Sequence, residues 1–173
     1  MPIQGVEQPK FIRVCDGVRL RSADDDFSFA IGWYQDPETL WLVDGDRTPY
    51  TPERLQRMYT YLSRIGELYF IEVFEEGAFK PIGDVTFWQE DMPIVIGDPV
   101  YRRKGIGRKV IAALIRRAND LGYPYLRIGE IYDWNEGSRR CFKGLGFTPE
   151  RKTAKGSSWL LDMQNYGSTE GTK

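Results

Sequence analysis

The stretch Pro99-Val100-Tyr101-Arg102-Arg103-Lys104-Gly105-Ile106-Gly107 decides the fold, because it stands between a strand-like run and a long helix-like run. Before it, Ile94–Ile96 has the β-branched character of a strand; after it, apolar residues recur at helical spacing from about Gly105 to Leu121. The glycines permit a tight turn and a close approach of a ligand to the backbone. The first amides of the helix have no intrahelical partner and three cationic side chains precede them. The stretch therefore predicts an anion site that would suit a pyrophosphate.

Two other glycine-rich phosphate loops do not fit this stretch. A dinucleotide-binding G-x-G-x-x-G needs glycine at position 110, where the chain has Val110, and the Gly-Lys-Ser/Thr of a Walker loop is missing. A glycine-tolerant turn with a solvated basic face remains the plain alternative to a ligand site.

The composition restricts the chemistry and the partners. The chain has 173 residues, which suits one domain, and no histidine, which excludes a Ser-His-Asp triad, a Cys-His dyad and a histidine zinc site. We expect no metal centre. With 24 basic and 25 acidic residues the formal net charge is −1, so neither nucleic acid nor a membrane is expected as a partner. Two cysteines without a disulfide framework, and no visible secretory or spanning segment, predict a cytoplasmic protein.

The order of elements predicts one α+β domain over residues 1–166 and a disordered tail over 167–173. We expect a mixed, mostly antiparallel β-sheet with about four α-helices, because three strand-like runs follow one another closely and favour an antiparallel meander. The predicted strands are Phe11–Arg21 (a pair or a bent strand), Leu68–Phe74, Ile82–Trp88, Ile94–Ile96, Tyr125–Tyr132 and Ser158–Met163.

The helices are predicted from their start signals. Asp24-Asp25-Asp26 favours a helix over Phe27–Tyr34, and Thr51-Pro52 is a strong start, with Thr as N-cap and Pro at the first position. Asn135 caps a short helix up to Gly144. Between these helices, Pro37, Gly45 and Pro49 mark irregular chain.

Two motifs resemble those of the GNAT superfamily of acetyl-CoA-dependent N-acetyltransferases. The family's cofactor motif, Arg/Gln-x-x-Gly-x-Gly/Ala, is matched by Arg102–Gly107 between a strand and a helix. A second motif, Asn followed by a small residue, an aromatic residue and Gly-Phe, is matched by Asn135–Phe147. The motifs stand in the family's order, and the resemblance covers roughly residues 10–163. It implies strands that splay around a cofactor cleft.

The resemblance also implies how acetyl-CoA, the co-substrate, would be held. Backbone amides of the loop would bind its pyrophosphate, and the pantetheine would pair with the exposed edge of Ile94–Ile96 as an extra strand. An amide near Ile96–Asp98 would polarise the thioester carbonyl, and a bulge or close approach is expected at Gly97. The cofactor residues so implied are Ile96, Gly97, Asp98, Arg102, Arg103, Lys104, Gly105, Ile106, Gly107 and Asn135.

Acetyl transfer requires a neutral amine, and a carboxylate can take its proton directly or through water. The candidate bases are Glu90 and Asp91, before Ile94, and Glu130, late in the next strand. Each has an alternative, which is a solvated hairpin turn for Glu90 and Asp91 and a strand-end ion pair for Glu130.

One residue departs from the family pattern. The family places a tyrosine, which protonates the leaving thiolate, four residues after the small residue, and here that position is Phe142, which donates nothing. The CoA thiol has a reference pKa near 8.5 and leaves readily enough to do without an acid. Cys141, Tyr101 and Tyr132 are other candidate donors, with core packing as the alternative for each.

The acceptor side is expected from the first two helices and the loop 41–51. Trp33 and Tyr34 begin a group of aromatic residues interspersed with carboxylates, which suits a cationic or sugar-like amine, or else these rings are core. Together with Glu130 they are the predicted substrate-binding residues. The layout resembles the aminoglycoside 6'-N-acetyltransferases and the ribosomal-protein N-terminal acetyltransferases; a polyamine acceptor, a non-catalytic acetyl-CoA-binding module and a homodimer also remain open.

Overall fold

The computed structural model describes residues 1–164 and Tyr166, so the tail predicted over 167–173 lies outside the described residues. The strands are β1 (Phe11–Cys15), β2 (Val18–Ser22), β3 (Glu67–Glu75), β4 (Ala78–Phe87), β5 (Ile94–Ile96), β6 (Tyr125–Tyr132), β7 (Thr148–Lys152) and β8 (Gly156–Asp162). The helices are α1 (Pro37–Asp44), α2 (Pro52–Ile65), α3 (Ile106–Asp120) and α4 (Glu136–Gly144), with 3₁₀ helices over Ser28–Gln35 and Pro99–Tyr101.

The strands form two antiparallel sheets, in the orders β1-β2-β3-β4-β5 and β6-β8-β7. The predicted meander is confirmed, since β3 pairs with β4 and β4 with β5, each antiparallel. The connection from β5 through α3 to β6 runs between the two sheets, so β5 and β6 part instead of sharing a ladder. The α+β class and the splayed strands are thus confirmed, while the expected mixed sheet is divided into two antiparallel ones.

The prediction of irregular chain around Pro37 and Gly45 is wrong, because α1 spans this segment. Asp36 is its N-cap and accepts a hydrogen bond from the Thr39 amide at 3.0 Å, with Pro37 at the first helical position. Gly45 ends the helix in the left-handed conformation, at φ 65°. The two residues interpreted as breakers are therefore the boundaries of a helix.

Two other local predictions need correction. The helix predicted after Asp24-Asp25-Asp26 is a 3₁₀ helix whose N-cap, Phe27, makes no side-chain capping bond, and Asp24 instead accepts from the Asp26 amide at 3.2 Å. The strand β7 was missed because all five of its residues are exposed and it carries no apolar alternation.

Two apolar clusters hold the sheets and helices together. The larger one packs α3 against both sheets and includes Ile111, Leu114 and Leu126, each fully buried. The second lies between the first sheet, α1, α2 and the 3₁₀ helix. The start of α3 lies beside β5, because a Cβ on Gly107 would contact Ile94 Cδ1 at 3.9 Å. Within the described residues no helix is long and apolar enough to cross a membrane.

Candidate active site

A cleft opens where β5 and β6 part, and it consists of two adjoining cavities of about 460 and about 470 Å³. We call the first the basic cavity, because among its described lining residues Arg102, Arg103, Arg108 and Arg140 are charged and no carboxylate is present. The second is the acidic cavity, lined by Asp44, Asp84, Asp91 and Glu130 and, within the described chain, by no lysine or arginine. The residues that line both are Leu42, Val43, Ile94, Val95, Asn135, Ser138 and Phe142.

The basic cavity has the geometry of an anion site at the start of α3. Gly105 is the N-cap of α3 and adopts φ 77°, a conformation that favours glycine. Gly107 lies in the first turn, and a Cβ there would touch only Ile94 Cδ1, at 3.9 Å. The cavity therefore reaches the first amides of α3 without an intervening side chain, as the sequence motif predicts.

The charged residues of the motif differ in their surroundings. Arg102 is tied into the protein, because its Nε donates to the Ile96 carbonyl at 2.9 Å and its Nη2 to Thr39 Oγ1 at 2.6 Å. This side chain joins β5 to the start of α1 and is not a free phosphate ligand. Arg103 lines the cavity, whereas Lys104 lies outside its walls and over the Tyr101 ring.

The edge of β5 is exposed to the cleft at alternate residues. The Thr86 amide donates to the Pro93 carbonyl and the Gly97 amide to the Ile82 carbonyl, so the ladder with β4 uses every second residue of β5. The backbone groups of Ile94 and Ile96 consequently point away from β4, toward β6. The Ile96 carbonyl already accepts a hydrogen bond from Arg102. The amides of Ile94 and Ile96 are the hydrogen-bond donors of this edge.

Of the amides expected to polarise the thioester near Ile96–Asp98, those of Gly97 and Asp98 are not free. Both amides donate to the Ile82 carbonyl, at 2.8 and 3.0 Å, and neither residue lines a cavity. The Asp98 carboxylate accepts from the Val100 amide at 3.1 Å and pairs with Lys80, so this residue shapes the turn before Pro99. A close approach does occur at Gly97, but it is to the Trp33 ring, which a Cβ would meet at 2.1 Å.

The predicted catalytic and substrate-binding residues fall into two groups. Asp91, Glu130 and Tyr34 line the acidic cavity. Glu90 does not, because it accepts hydrogen bonds from Tyr125 and Arg127 on β6, outside the cleft. Trp33 is buried in the second cluster and also lies outside both cavities, so the alternative of core packing applies to it.

Asp91 stands between the two sheets. Its Oδ1 accepts hydrogen bonds from the Met92 amide at 2.9 Å and from the Gly129 amide of β6 at 3.0 Å. Burial raises the pKa of this carboxyl, against the opposing effect of the two amides. The solvated turn considered for Asp91 is therefore replaced by a buried carboxylate that joins β6 to the segment before β5. Glu130 is exposed and accepts from the Lys155 amide at 3.4 Å.

Asp84 is the functional candidate that sequence reasoning missed. It lies in the middle of β4, is 3% exposed, and accepts hydrogen bonds at Oδ2 from the hydroxyls of Tyr34 and Tyr59, both at 2.7 Å. Burial raises its pKa to about 6, although the two hydroxyls oppose the shift. A carboxylate inside an otherwise apolar strand was the available signal, because an ionised side chain is seldom fully buried unless it is paired or functional.

Phe142 lies at the junction of the two cavities and is 3% exposed, with its ring packed edge-on against Phe147 at 5.2 Å. Asn135 caps α4 by accepting from the Ser138 amide at 3.2 Å, and its Nδ2 donates to the Leu42 carbonyl of α1 at 3.3 Å. Cys141 is half-buried in the wall of the basic cavity, and burial raises the pKa of its thiol. Tyr101 donates to Glu75, away from the cleft.

Aromatic stacking holds α1 across the cleft. The rings of Trp41 and Trp134 stack at 4.5 Å, those of Trp134 and Tyr132 at 4.7 Å, and Trp134 Nε1 donates to the Trp41 carbonyl at 3.0 Å. Together with Arg102 and Asn135, these contacts fix α1 on both sides of the opening between the sheets. The stacked rings of Trp41, Trp134 and Tyr132 thus support the wall of the cleft.

Residues 30–147 match the model of the acetyltransferase (GNAT) family. This span is more than half of the 173-residue chain, so the protein belongs to that family of acetyltransferases. No curated protein matches the sequence.

Solved structures with this fold share little sequence with the chain. A domain from Methanocaldococcus jannaschii has a TM-score of 0.74 at 20% identity, over 84% of this chain and 97% of that one. Aminoglycoside acetyltransferase AAC(6')-Ib in complex with coenzyme A has a TM-score of 0.70 at 19% identity, over 89% and 99%. Spermidine N-acetyltransferase from Vibrio cholerae, in complex with CoA and spermine, has 0.68 at 14%, over 88% and 99%. The fold implied by the two sequence motifs is confirmed.

Proposed function

We propose that this acetyltransferase moves the acetyl group of acetyl-CoA directly to a primary amine of a small molecule that carries several positive charges. The observation that carries the proposal is the separation of charge in the cleft. The described walls of the basic cavity hold four arginines, and those of the adjoining acidic cavity hold four carboxylates. Phosphates suit the first and ammonium groups the second, and the two cavities meet at β5.

Acetyl-CoA, the acetyl donor, would be bound mainly by backbone groups. The amides from Arg103 to Gly107 would hold the pyrophosphate, with Arg103 and Arg108 adding charge. The free edge of β5 would pair with the pantetheine, and the amide of Ile94 or Ile96 would donate to the thioester carbonyl. Bound acetyl-CoA supplies the activated acetyl group; the protein orients it and excludes water.

On the acceptor side, we assign Asp84 as the general base, with Asp91 and Glu130 as partners for the remaining cationic groups. An amine with a pKa of about 10.4 is neutral only about once in 2,500 molecules at pH 7, so a group that takes its proton is needed. Asp84, with a pKa of about 6, is mostly ionised at pH 7 and is a stronger base than an exposed aspartate. Tyr34 and Tyr59 hold its carboxylate in position at the cavity wall.

Similarity to the structural relatives supports the same class of acceptor. One of them is an aminoglycoside acetyltransferase and another is a spermidine N-acetyltransferase in complex with spermine. Aminoglycosides and spermidine each carry several amino groups, which is the chemistry proposed here for the occupant of the acidic cavity. Since the cleft uses both sheets, we also infer that residues 1–166 act as one domain.

A thiol-release assay with matched acceptors tests the proposal. The panel contains acetyl-CoA with kanamycin, spermidine, a tripeptide with a free N-terminus, and benzylamine as a singly charged control. We expect release of CoA with kanamycin or spermidine well above the hydrolysis background, and Asp84→Asn should lower kcat. Turnover of the tripeptide alone would transfer the assignment to N-terminal acetylation. Acetyl-CoA binding without turnover of any amine would favour the non-catalytic module to which Phe142 points.

A further inference from the structure

In the proposed reaction the CoA sulfur leaves where the two cavities meet, and few side chains there can donate a hydrogen bond to a thiolate. Seven residues line both cavities, and five of them have aliphatic or phenyl side chains. Only Asn135 and Ser138 have side chains that donate hydrogen bonds. The tyrosines of the cleft each line one cavity only, and the hydroxyls of Tyr34 and Tyr101 are already bonded to carboxylates.

Of these two residues, Ser138 is the available donor. The Asn135 side chain is held in place, because its Oδ1 accepts from the Ser138 amide and one of its two Nδ2 hydrogens goes to the Leu42 carbonyl of α1. The Ser138 hydroxyl has no hydrogen-bond partner in the protein within residues 1–164 and 166. Ser138 and Phe142 are four residues apart in α4, so their side chains lie one above the other on the same helix face.

The position of Ser138 in α4 adds to its suitability. It lies in the first turn of a nine-residue helix, where amides without intrahelical partners and the helix dipole favour negative charge. A hydroxyl in that turn lines a part of the cleft where most of the other side chains are apolar, so few polar side chains compete with it for the sulfur. Hydrogen bonds to charged groups are about twice as strong as those between neutral groups.

We propose that Ser138 donates a hydrogen bond to the departing CoA thiolate and so takes over the role that Phe142 lacks. The inference rests on the proposed function. The amine nitrogen bonds to the acetyl carbon, the carbon–sulfur bond breaks, and its electron pair stays on sulfur. The amine proton passes to Asp84, directly or through water. Ser138 keeps its own proton, because a serine hydroxyl is a much weaker acid than a thiol, and the thiolate is protonated by solvent after release.

The first test is kinetic. Ser138→Ala should lower kcat roughly 10- to 100-fold, the usual effect of losing one hydrogen bond to a charged group, with little change in the KM for acetyl-CoA. The helix cap is unaffected, because the Ser138 backbone amide that Asn135 accepts from is retained. The matched control is Ser63→Ala in α2, an exposed serine that lines neither cavity, which should leave kcat unchanged. In the Ser138→Ala background, Phe142→Tyr should restore much of the rate, because it returns a donor to the junction.

The second test needs no turnover. The thiol of bound CoA is titrated by thiolate absorbance in the ultraviolet, with desulfo-CoA as the blank for the protein's own tyrosines and cysteines. We expect a thiol pKa below its free value of about 8.5 in the wild type, raised by about one unit in Ser138→Ala.

The outcomes separate the two proposals. If the wild type releases CoA with an amine but Ser138→Ala alters neither kcat nor the bound thiol pKa, the role of Ser138 is overturned while the proposed function stands. If the wild type acetylates no amine, the proposed function fails, and the thiol titration alone then decides whether Ser138 stabilises the thiolate.

Discussion

Replacing Asp84 by asparagine should remove a pH dependence from the stability of the protein. Asp84 is 3% exposed, and burial raises its pKa to about 6, whereas an unfolded aspartate titrates near 3.9. Between these values the folded protein holds a proton that the unfolded chain has lost, so its free energy of unfolding falls as pH rises through the window from about 4 to 6. The loss is about 3 kcal/mol once both states are ionised, at about 1.4 kcal/mol for each pKa unit.

The measurement is urea unfolding of the wild type and Asp84→Asn between pH 4.5 and 8. Part of the effect is already present at pH 4.5, so the difference between the two free energies of unfolding should change by about 2 kcal/mol in favour of the variant over this range. The substituted side chain still offers an acceptor oxygen to Tyr34 and Tyr59, so the variant should fold. Asp16→Asn, at a fully exposed side chain, is the control and should follow the wild type. Parallel curves for the wild type and Asp84→Asn would refute the buried, titrating carboxylate.

The remaining predictions concern the cleft. Gly107→Val should abolish acetyl-CoA binding by calorimetry without lowering Tm, because valine fits the helix and only Ile94 is near, while its side chain covers the first amides of α3; unchanged affinity would contradict the loop assignment. Glu130→Gln should raise the KM of a polycationic acceptor several-fold and leave the KM of benzylamine almost unchanged. Glu90→Gln should change neither KM, because Glu90 lies outside the acidic cavity. Equal responses of the two variants would argue against an acidic acceptor site.

Local sequence signals predicted the parts of the fold that local physics determines. The helices α2 and α3 carry an apolar stripe and clear start signals, and the β3–β4–β5 meander has short connections. The helix α1 carried signals as well, since Pro37 follows a capping Asp36 and Gly45 takes the C-terminal position. Proline and glycine break a helix only in its interior, so their order relative to the apolar run should have decided the assignment.

The candidate site was predictable only where it is local. The loop before α3 is a continuous motif whose backbone amides form the anion site, so the position of the site follows from the sequence. The acidic cavity is assembled across strands. Glu90 and Asp91 are neighbours in the chain, yet one bonds to Arg127 outside the cleft and the other joins the sheets inside it. Which of two adjacent carboxylates faces a cavity depends on the course of the backbone between β4 and β5, and periodicity does not determine that course.

The absence of histidine and the burial of Asp84 have to be considered together. A chain without imidazole has no side chain with an ordinary pKa between 5 and 8, so a base that titrates near neutrality must come from a displaced pKa. Burial in β4 raises the pKa of Asp84 and so provides such a base, while the hydrogen bonds from the two tyrosine hydroxyls keep this pKa from rising further. The same reasoning applies to the leaving group. With phenylalanine at the junction, a phenolic acid is missing, and the sulfur must leave as a thiolate held by neutral donors. Both halves of the reaction then depend on where the fold places oxygen atoms, in Asp84 and in Ser138, and neither needs a group that titrates near pH 7 in water.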